Sequence, residues 1–157
     1  MNDNAKIVHF ALRVPLGTRV EGRTINLIEA HNEVVSKLGQ VALAKFGSPG
    51  TAKRAKTLQQ QIDDGINTLL VLVAKRGDRF LGYQSRLSSI IWGKPTATIK
   101  NATPSYYRYL DQTPELWFMV DTPFVQSDLT KFRLVSNHRP LLDVLGECRT
   151  SSMLIEQ

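Results

Sequence analysis

The run Thr68-Leu69-Leu70-Val71-Leu72-Val73-Ala74 is the most apolar stretch of the chain, and Lys75-Arg76-Gly77-Asp78 follows it at once. An unbroken apolar run of this length, rich in β-branched residues and closed by a turn, reads as a strand covered on both faces. It predicts a central strand, with Arg76-Gly77-Asp78 as a hairpin turn into a second strand from Arg79 to Leu87. A buried strand needs neighbours on its edges and helices on its faces, so the rest of the chain must supply both.

Val8, Phe10, Leu12 and Val14 alternate with His9, Ala11 and Arg13, the period of a strand with one buried face, and Pro15 and Gly17 end it. Leu27, Ile28, His31, Val34, Val35 and Leu38 recur at helical spacing behind Asn26, a capping residue, with Glu29 near the positive helix end. Gly39 suits the left-handed stop. A short strand from Gln40 to Lys45 follows, and Gly47-Ser48-Pro49-Gly50-Thr51 turns into a second helix with Ala55, Leu58 and Ile62 on one face, closing at Gly65. Leu116 to Val120, Leu129 to Leu134 and Ser151 to Ile155 are further strand candidates. Gly93 to Pro114 shows no periodicity yet holds Tyr106, Tyr107, Tyr109, Lys94, Lys100 and Arg108, and loops of that length in compact domains usually carry function. The expectation is a single α+β domain over residues 1–157, with about six strands and two or more helices.

Twenty Lys and Arg against 14 Asp and Glu leave a net charge of +6, and the excess has a position. Residues 37–108 hold twelve basic and three acidic groups, 12 − 3 = +9, whereas 1–36 are balanced and 109–157 are net acidic. A central basic segment of that size points to a polyanionic partner. With 42% hydrophobic residues the chain is not a disordered tail, and its one cysteine, Cys148, excludes a disulfide scaffold. No apolar run approaches the roughly 20 residues of a membrane span. The start of the chain, Met1 to Lys6, is polar and lacks a signal-peptide core, so a soluble cytoplasmic protein without membrane contact is expected.

Few reactions are supported. His9, His31 and His138 are scattered, no Cys or His pair has zinc-site spacing, and neither a metal nor another cofactor is expected. His138, Asp143 and Cys148 lie too close along one segment to converge as a nucleophilic triad, and Cys148 reads as a buried, inert cysteine. Asp63 and Asp64 read as a solvated helix end. The stretch from Gly47 to Arg54 misses the P-loop pattern, because Ala52 and Arg54 occupy the places of its Gly and Ser or Thr. What remains is a helix start followed by Lys53, Arg54 and Lys56, suited to a backbone phosphate or simply to a wet helix face.

The order of elements resembles the YTH and EVE domains of the PUA-like superfamily. Three stretches carry the likeness. Leu38-Gly39-Gln40-Val41-Ala42 is similar to the family strand that presents a Trp, here replaced by small residues around Ala42. Residues 68–83 are similar to the central hairpin, in which an apolar strand turns through a Gly corner into an aromatic-Gly strand, Phe80-Leu81-Gly82-Tyr83. Leu116 to Val120, Thr122-Pro123-Phe124 and Asn137-His138-Arg139-Pro140-Leu141 are similar to the late strand, its Pro loop and an Asn-x-Lys-Pro-like element.

The resemblance implies a PUA-like twisted mixed β-barrel with packed helices. It also implies a non-enzymatic reader that takes one modified, typically methylated, base into an aromatic pocket. DNA is favoured, with the chain as specificity module of a modification-dependent restriction system and a fused or associated motor or nuclease as partner. Base-pocket candidates are Trp92, Phe46, Ala42, Tyr106, Tyr107, Ser85 and Asn101, with Trp92 either stacking on the base or closing the barrel end as core. Phosphate-binding candidates are Lys45, Lys53, Arg54, Lys56, Arg76, Arg79, Lys94 and Lys100, and Trp117 is expected in the core. Three alternatives stay open: a PUA-like module for modified RNA, a small hydrolase of a nucleotide-like ligand, and a domain whose aromatic loop binds a protein.

Overall fold

A computed structural model of the protein describes residues 6–45, 49–110, 114 and 116–157, with 49–52 by backbone only. Its elements in chain order are β1 (His9–Arg13), β2 (Gly17–Val20), β3 (Arg23–Asn26), α1 (Leu27–Leu38), β4 (Val41–Lys45) and α2 (Pro49–Asp63). There follow β5 (Leu69–Arg76), β6 (Arg79–Trp92), α3 (Ala97–Asn101), a 3-10 turn at Ser105–Tyr109, β7 (Leu116–Val120) and β8 (Val125–Ser127). After a second 3-10 turn at Leu129–Lys131 come β9 (Arg133–Leu134), α4 (Leu141–Glu147) and β10 (Ser152–Glu156).

The protein is α+β. Its main sheet is mixed, ordered β4-β7-β6-β5-β1-β10-β9, with β8 also on β6, and β2 and β3 form a separate hairpin. β1 and β5 run parallel, and the other pairs are antiparallel. The sheet is open rather than a closed barrel: β4 and β9 are its two ends and do not pair. Among the described residues no helix is long and apolar enough to cross a membrane.

β6 bends the sheet. Its first half pairs with β5 and β8, its second half with β7, and the register shifts between Leu87 and Ser89. A bulge of this kind turns a strand and steepens its twist. The β4 end swings round so that Lys45 Nζ reaches Ser151 Oγ at 3.2 Å, and Arg54 donates to the Ser152 carbonyl at 2.8 Å. Side chains, not a strand ladder, bridge the gap.

β1 is buried on both faces, against the one-sided strand its alternation suggests. Phe10 and Leu12 join the main core with Leu70, Leu72 and Phe118, while Ala11 joins a second cluster with Val71, Met153, Ile155 and α4 residues Leu141 and Leu145. α4 is the helix that covers this second face. α1 follows its sequence signals: Asn26 Oδ1 accepts the Glu29 N–H at 3.0 Å, and Gly39, at φ 78°, donates to the Val35 carbonyl at 2.7 Å.

At Gly82 in β6, a β-carbon would stand 2.7 Å from Leu129 Cγ and 3.0 Å from the Ser127 carbonyl oxygen. Such crowding against fixed backbone costs about 1–3 kcal/mol. Gly82→Ala should therefore lower the urea midpoint by the equivalent of that range, and an unchanged midpoint would mean that β8 and Leu129 yield freely.

Candidate nucleic-acid interface

Edge strands expose unpaired backbone groups and are usually covered. The outer edge of β4 is covered by the segment after β6: Ala42 N–H donates to the Ala102 carbonyl at 2.8 Å and Ala44 N–H to Tyr107 Oη at 3.2 Å. The expected loop from Gly93 to Pro114 thus contains α3, capped by Thr96 at the Ile99 N–H, and the 3-10 turn with its tyrosines. Ile99 and Ala102 pack on Ala42, Trp117 and Met119, which fixes the segment to the sheet.

Tyr107 is held by its hydroxyl as well as its ring. His31, fully buried in α1, lies with Nδ1 2.8 Å from the Leu27 carbonyl and Nε2 2.6 Å from Tyr107 Oη. A carbonyl can only accept, so Nδ1 carries the imidazole proton and Nε2 accepts from the tyrosine. Burial pulls the His31 pKa down to about 4, against a weaker opposing effect of the Leu27 bond, so the ring is neutral near pH 7. Burial likewise pushes Tyr106 up to about 12 and Tyr107 well above the ordinary phenol range, so both hydroxyls keep their protons. The two tyrosine rings meet edge to face, centroids 4.9 Å apart.

A cavity lies on each side of this turn. One, of about 290 Å³, is a groove between the end of β1 and the edge of β4, lined by Leu12, Arg13, Pro15, Thr18, Leu43, Lys45 and Tyr106 among others. The other, about 510 Å³, is lined by Lys94, Pro95, Lys100, Thr103, Arg108, Pro114 and Trp117. Tyr107 and Leu110 line both, so they form a ridge between the two. No carboxylate lines either cavity among the described residues.

The cations differ in what they can offer. Arg13 is engaged by the Thr150 carbonyl at 2.8 Å, the Leu145 carbonyl at 2.9 Å and the Cys148 carbonyl, so it is a fixed charge in the groove wall. Lys45 is half-buried, and burial and then the nearby Arg54 charge lower its pKa. Lys94, Lys100 and Arg108 are exposed on the second cavity, Arg108 lying over the Tyr109 ring at 4.9 Å.

The structure brings together Lys45, Tyr106 and Tyr107 in the groove, and Tyr107, Lys94 and Lys100 in the cavity beyond. It separates the rest. Trp92 is 48% exposed and borders neither cavity: it shares a cross-strand row with Leu116 and Lys45, one residue out of step with the Ile91–Trp117 row, so it faces the other side of the sheet from Trp117. Ala42 is fully buried in the sheet packing and so forms no pocket wall. Ser85 is buried too, its hydroxyl donating to the Thr122 carbonyl at 2.6 Å, which leaves no free donor for a base edge. Asn101 is exposed at the end of α3, and Phe46 lies outside the described residues.

Lys53 and Lys56 are exposed on α2, whereas Arg54 is half-buried with its guanidinium over the Phe10 ring, a contact of the core more than of solvent. Arg76 and Arg79 are exposed and face each other at the β5–β6 turn. Trp117 is 3% exposed, as expected of a core residue, yet it also reaches the floor of the larger cavity. Arg13, Pro15 and Thr18 were not singled out by the sequence, because nothing local connects them to the tyrosines some ninety residues on. Cys148 is half-buried rather than buried, and hydrogen bonding with Thr150, followed by the Arg13 guanidinium, lowers its pKa.

Asp63 and Asp64 accept from Gln59 and Gln60 one turn earlier, at 2.8 and 3.1 Å, as a solvated helix end does. Among the described residues no three His, Cys, Asp or Glu side chains group to hold a metal ion. Comparison with protein-family models, curated proteins and solved structures finds no match to this chain.

Proposed function

We propose that the protein binds nucleic acid, with one base of a single-stranded or extruded nucleotide in the groove beside Tyr106 and the adjoining backbone on the lysine-rimmed cavity across the Tyr107–Leu110 ridge. The observation that carries this is the shared ridge. It joins an apolar, aromatic-walled groove to a cavity rimmed by Lys94, Lys100 and Arg108 and free of described carboxylates. Bases stack on aromatic faces whatever their sequence, and phosphates seek cations, so the two cavities offer the two halves of a nucleotide what each needs.

The likeness to YTH and EVE domains supports the same function and adds that the base is modified, with methylated DNA as the favoured ligand. A buried methyl is worth only about 0.8 kcal/mol, roughly fourfold in affinity, so discrimination depends on the fit of Tyr106, Pro15 and Leu43 around it. Binding, not catalysis, is the role these residues suit.

Fluorescence anisotropy with matched DNA and RNA strands, each with plain or methylated bases, tests this. Tyr106→Ala should weaken binding by the value of one stacked base, about 1–3 kcal/mol, and erase any preference for the methylated strand. Changing Lys94 and Lys100 together to Ala should weaken all strands alike and reduce the log–log salt slope by about 1.4, two phosphates at roughly 0.7 each. Wild-type affinity in both variants would reject the site. Tighter RNA than DNA binding would move the assignment to an RNA module that reads the 2′-hydroxyl.

A further inference from the structure

We propose that a second base of the bound strand stacks on Trp92, outside the groove, with the adjoining phosphates on Lys53 and Lys56 of α2. This inference extends the nucleic-acid reading above and rests on it. Trp92 is 48% exposed and stands between lysines of the two cavities. Lys45, in the groove wall, shares its cross-strand row across Leu116, about 10 Å away at roughly 4.8 Å per strand. Lys94, on the rim of the larger cavity, follows Trp92 by two residues.

The backbone holds Trp92 in place. It pairs with Leu116 in the sheet, and the carbonyl of the next residue, Gly93, accepts from Trp117 Nε1 at 3.3 Å. Alternation puts Trp92 on the same face as Ile90, which packs in the main core with Ala55 and Leu58 of α2. The Ile90 N–H donates to Gln59 Oε1 at 2.8 Å, and Lys53, Lys56 and Gln59 form an i, i+3 row on that helix. The direction of α2 follows from its two ends. Arg54 stands beside Lys45, in the row of Trp92, whereas Gln61 bonds to Thr68, whose carbonyl accepts the Leu87 N–H. α2 therefore runs antiparallel to this half of β6. Two strand residues past Ile90, about 6.6 Å, bring Trp92 level with the helix between Lys56 and Lys53, which precede Gln59 by one and two steps of about 4.5 Å.

The surroundings carry one sign of charge. Residues 41–62 and 87–110 contain seven Lys and Arg and no Asp or Glu. Lys53, Lys56 and Lys94 are exposed. Glu115, the acid next to Leu116 along the chain, lies outside the described residues, and its one charge is set against Lys45, Lys53, Lys56 and Lys94. An apolar partner seated on Trp92 would desolvate these lysines without pairing them, which is costly. A polynucleotide pairs them with phosphates while a base covers the indole, and bases stack on aromatic faces whatever their sequence. The roughly 10 Å from Lys45 is about three nucleotides at roughly 3.4 Å each, so a strand with one base in the groove reaches Trp92 within a few more.

The test is binding of oligothymidylates and oligouridylates, from dinucleotide to decanucleotide, followed by anisotropy and by tryptophan emission. In the wild-type protein the decanucleotide should quench the emission and the dinucleotide should not. Trp92→Leu should weaken the decanucleotide about tenfold, the value of one stacked base, and leave the dinucleotide unchanged. Trp92→Phe should keep most of the affinity and lose the quenching, which separates it from any signal of the buried Trp117. Lys53 and Lys56 changed together to Gln should reduce the log–log salt slope of the decanucleotide by about 1.4 and leave that of the dinucleotide as it is. Urea midpoints at the wild-type value report that the variants stay folded. Wild-type affinity of Trp92→Leu for every length, with Tyr106→Ala still weakening binding, overturns the Trp92 site alone. Wild-type emission that ignores the decanucleotide while anisotropy reports binding does the same without any variant. A wild-type protein that binds no strand of either kind overturns the groove and the Trp92 site together.

Discussion

Gln61→Leu should lower the unfolding free energy by about 3–5 kcal/mol, the largest loss expected of any single side chain far from the groove. Gln61 is buried in α2, and its amide acts as a short piece of strand. Val8 N–H donates to Oε1 at 2.8 Å, and Nε2 donates to the Val8 carbonyl at 2.7 Å and to Thr68 Oγ1 at 2.9 Å. Leucine fills the space but leaves the buried Val8 N–H and C=O both unpaired, at roughly 1–3 kcal/mol each. Gln61→Glu separates hydrogen bonding from packing. Its Oε1 can still accept from Val8 N–H, but an ionised second oxygen would face the Val8 carbonyl, so the carboxyl pKa must rise above its unfolded value. A raised carboxyl pKa means stability that is present at low pH and lost as pH climbs through the folded value. Urea midpoints of the Glu variant, taken relative to wild type at the same pH, should therefore fall between pH 4 and 7, and a Leu variant within about 1 kcal/mol of wild type would refute the role.

How much of this could be read from the sequence depends on how far apart the partners stand. α1 was legible because Asn26, the apolar period and Gly39 are all local signals, and the β5–β6 hairpin because an apolar run meets a Gly turn. β2 and β3 were not, since Gly17–Val20 and Arg23–Asn26 have no buried residue and so no apolar alternation to detect. α4 escaped because Leu141–Glu147 spans about two turns, too short to show a period, and its helix hides the second face of β1. The open sheet in place of a barrel follows from a contact that no pattern announces: Lys45 and Ser151 meet by side chains alone.

The site divides in the same way. The tyrosines and lysines of residues 94–108 stood out by composition, but the groove wall they complete comes from Arg13, Pro15 and Thr18. Trp92 stood out as a large aromatic after a strand, yet strand alternation turns it away from Trp117. His31 looked like one apolar position of a helix. Its partner Tyr107, 76 residues later, is what makes it part of the ridge.

The burial of His31 sets the second large effect, a loss of stability on acidification. The unfolded chain takes up its His31 proton near pH 6.5, whereas the folded protein resists until about pH 4. Between those values the unfolded state binds more protons, so stability is full above about 6.5 and falls as pH drops toward 4. A difference of about 2.5 pKa units corresponds to roughly 3 kcal/mol. His9, also lowered by burial, adds to the loss with the same sign. His31→Gln should flatten the profile between pH 4 and 6.5 to the part that His9 leaves, and a profile parallel to wild type would show that His31 does not titrate in this way. On protonation the His31–Tyr107 bond reverses, Nε2–H then donating to the Tyr107 hydroxyl oxygen, so the wall between the two cavities keeps this anchor. Because the folded protein keeps the His31 ring neutral until about pH 4, oligonucleotide affinity measured at matched salt should stay level between pH 6.5 and 5 while stability falls, and an affinity that fell in parallel would show that the ring titrates in the folded protein well above pH 4.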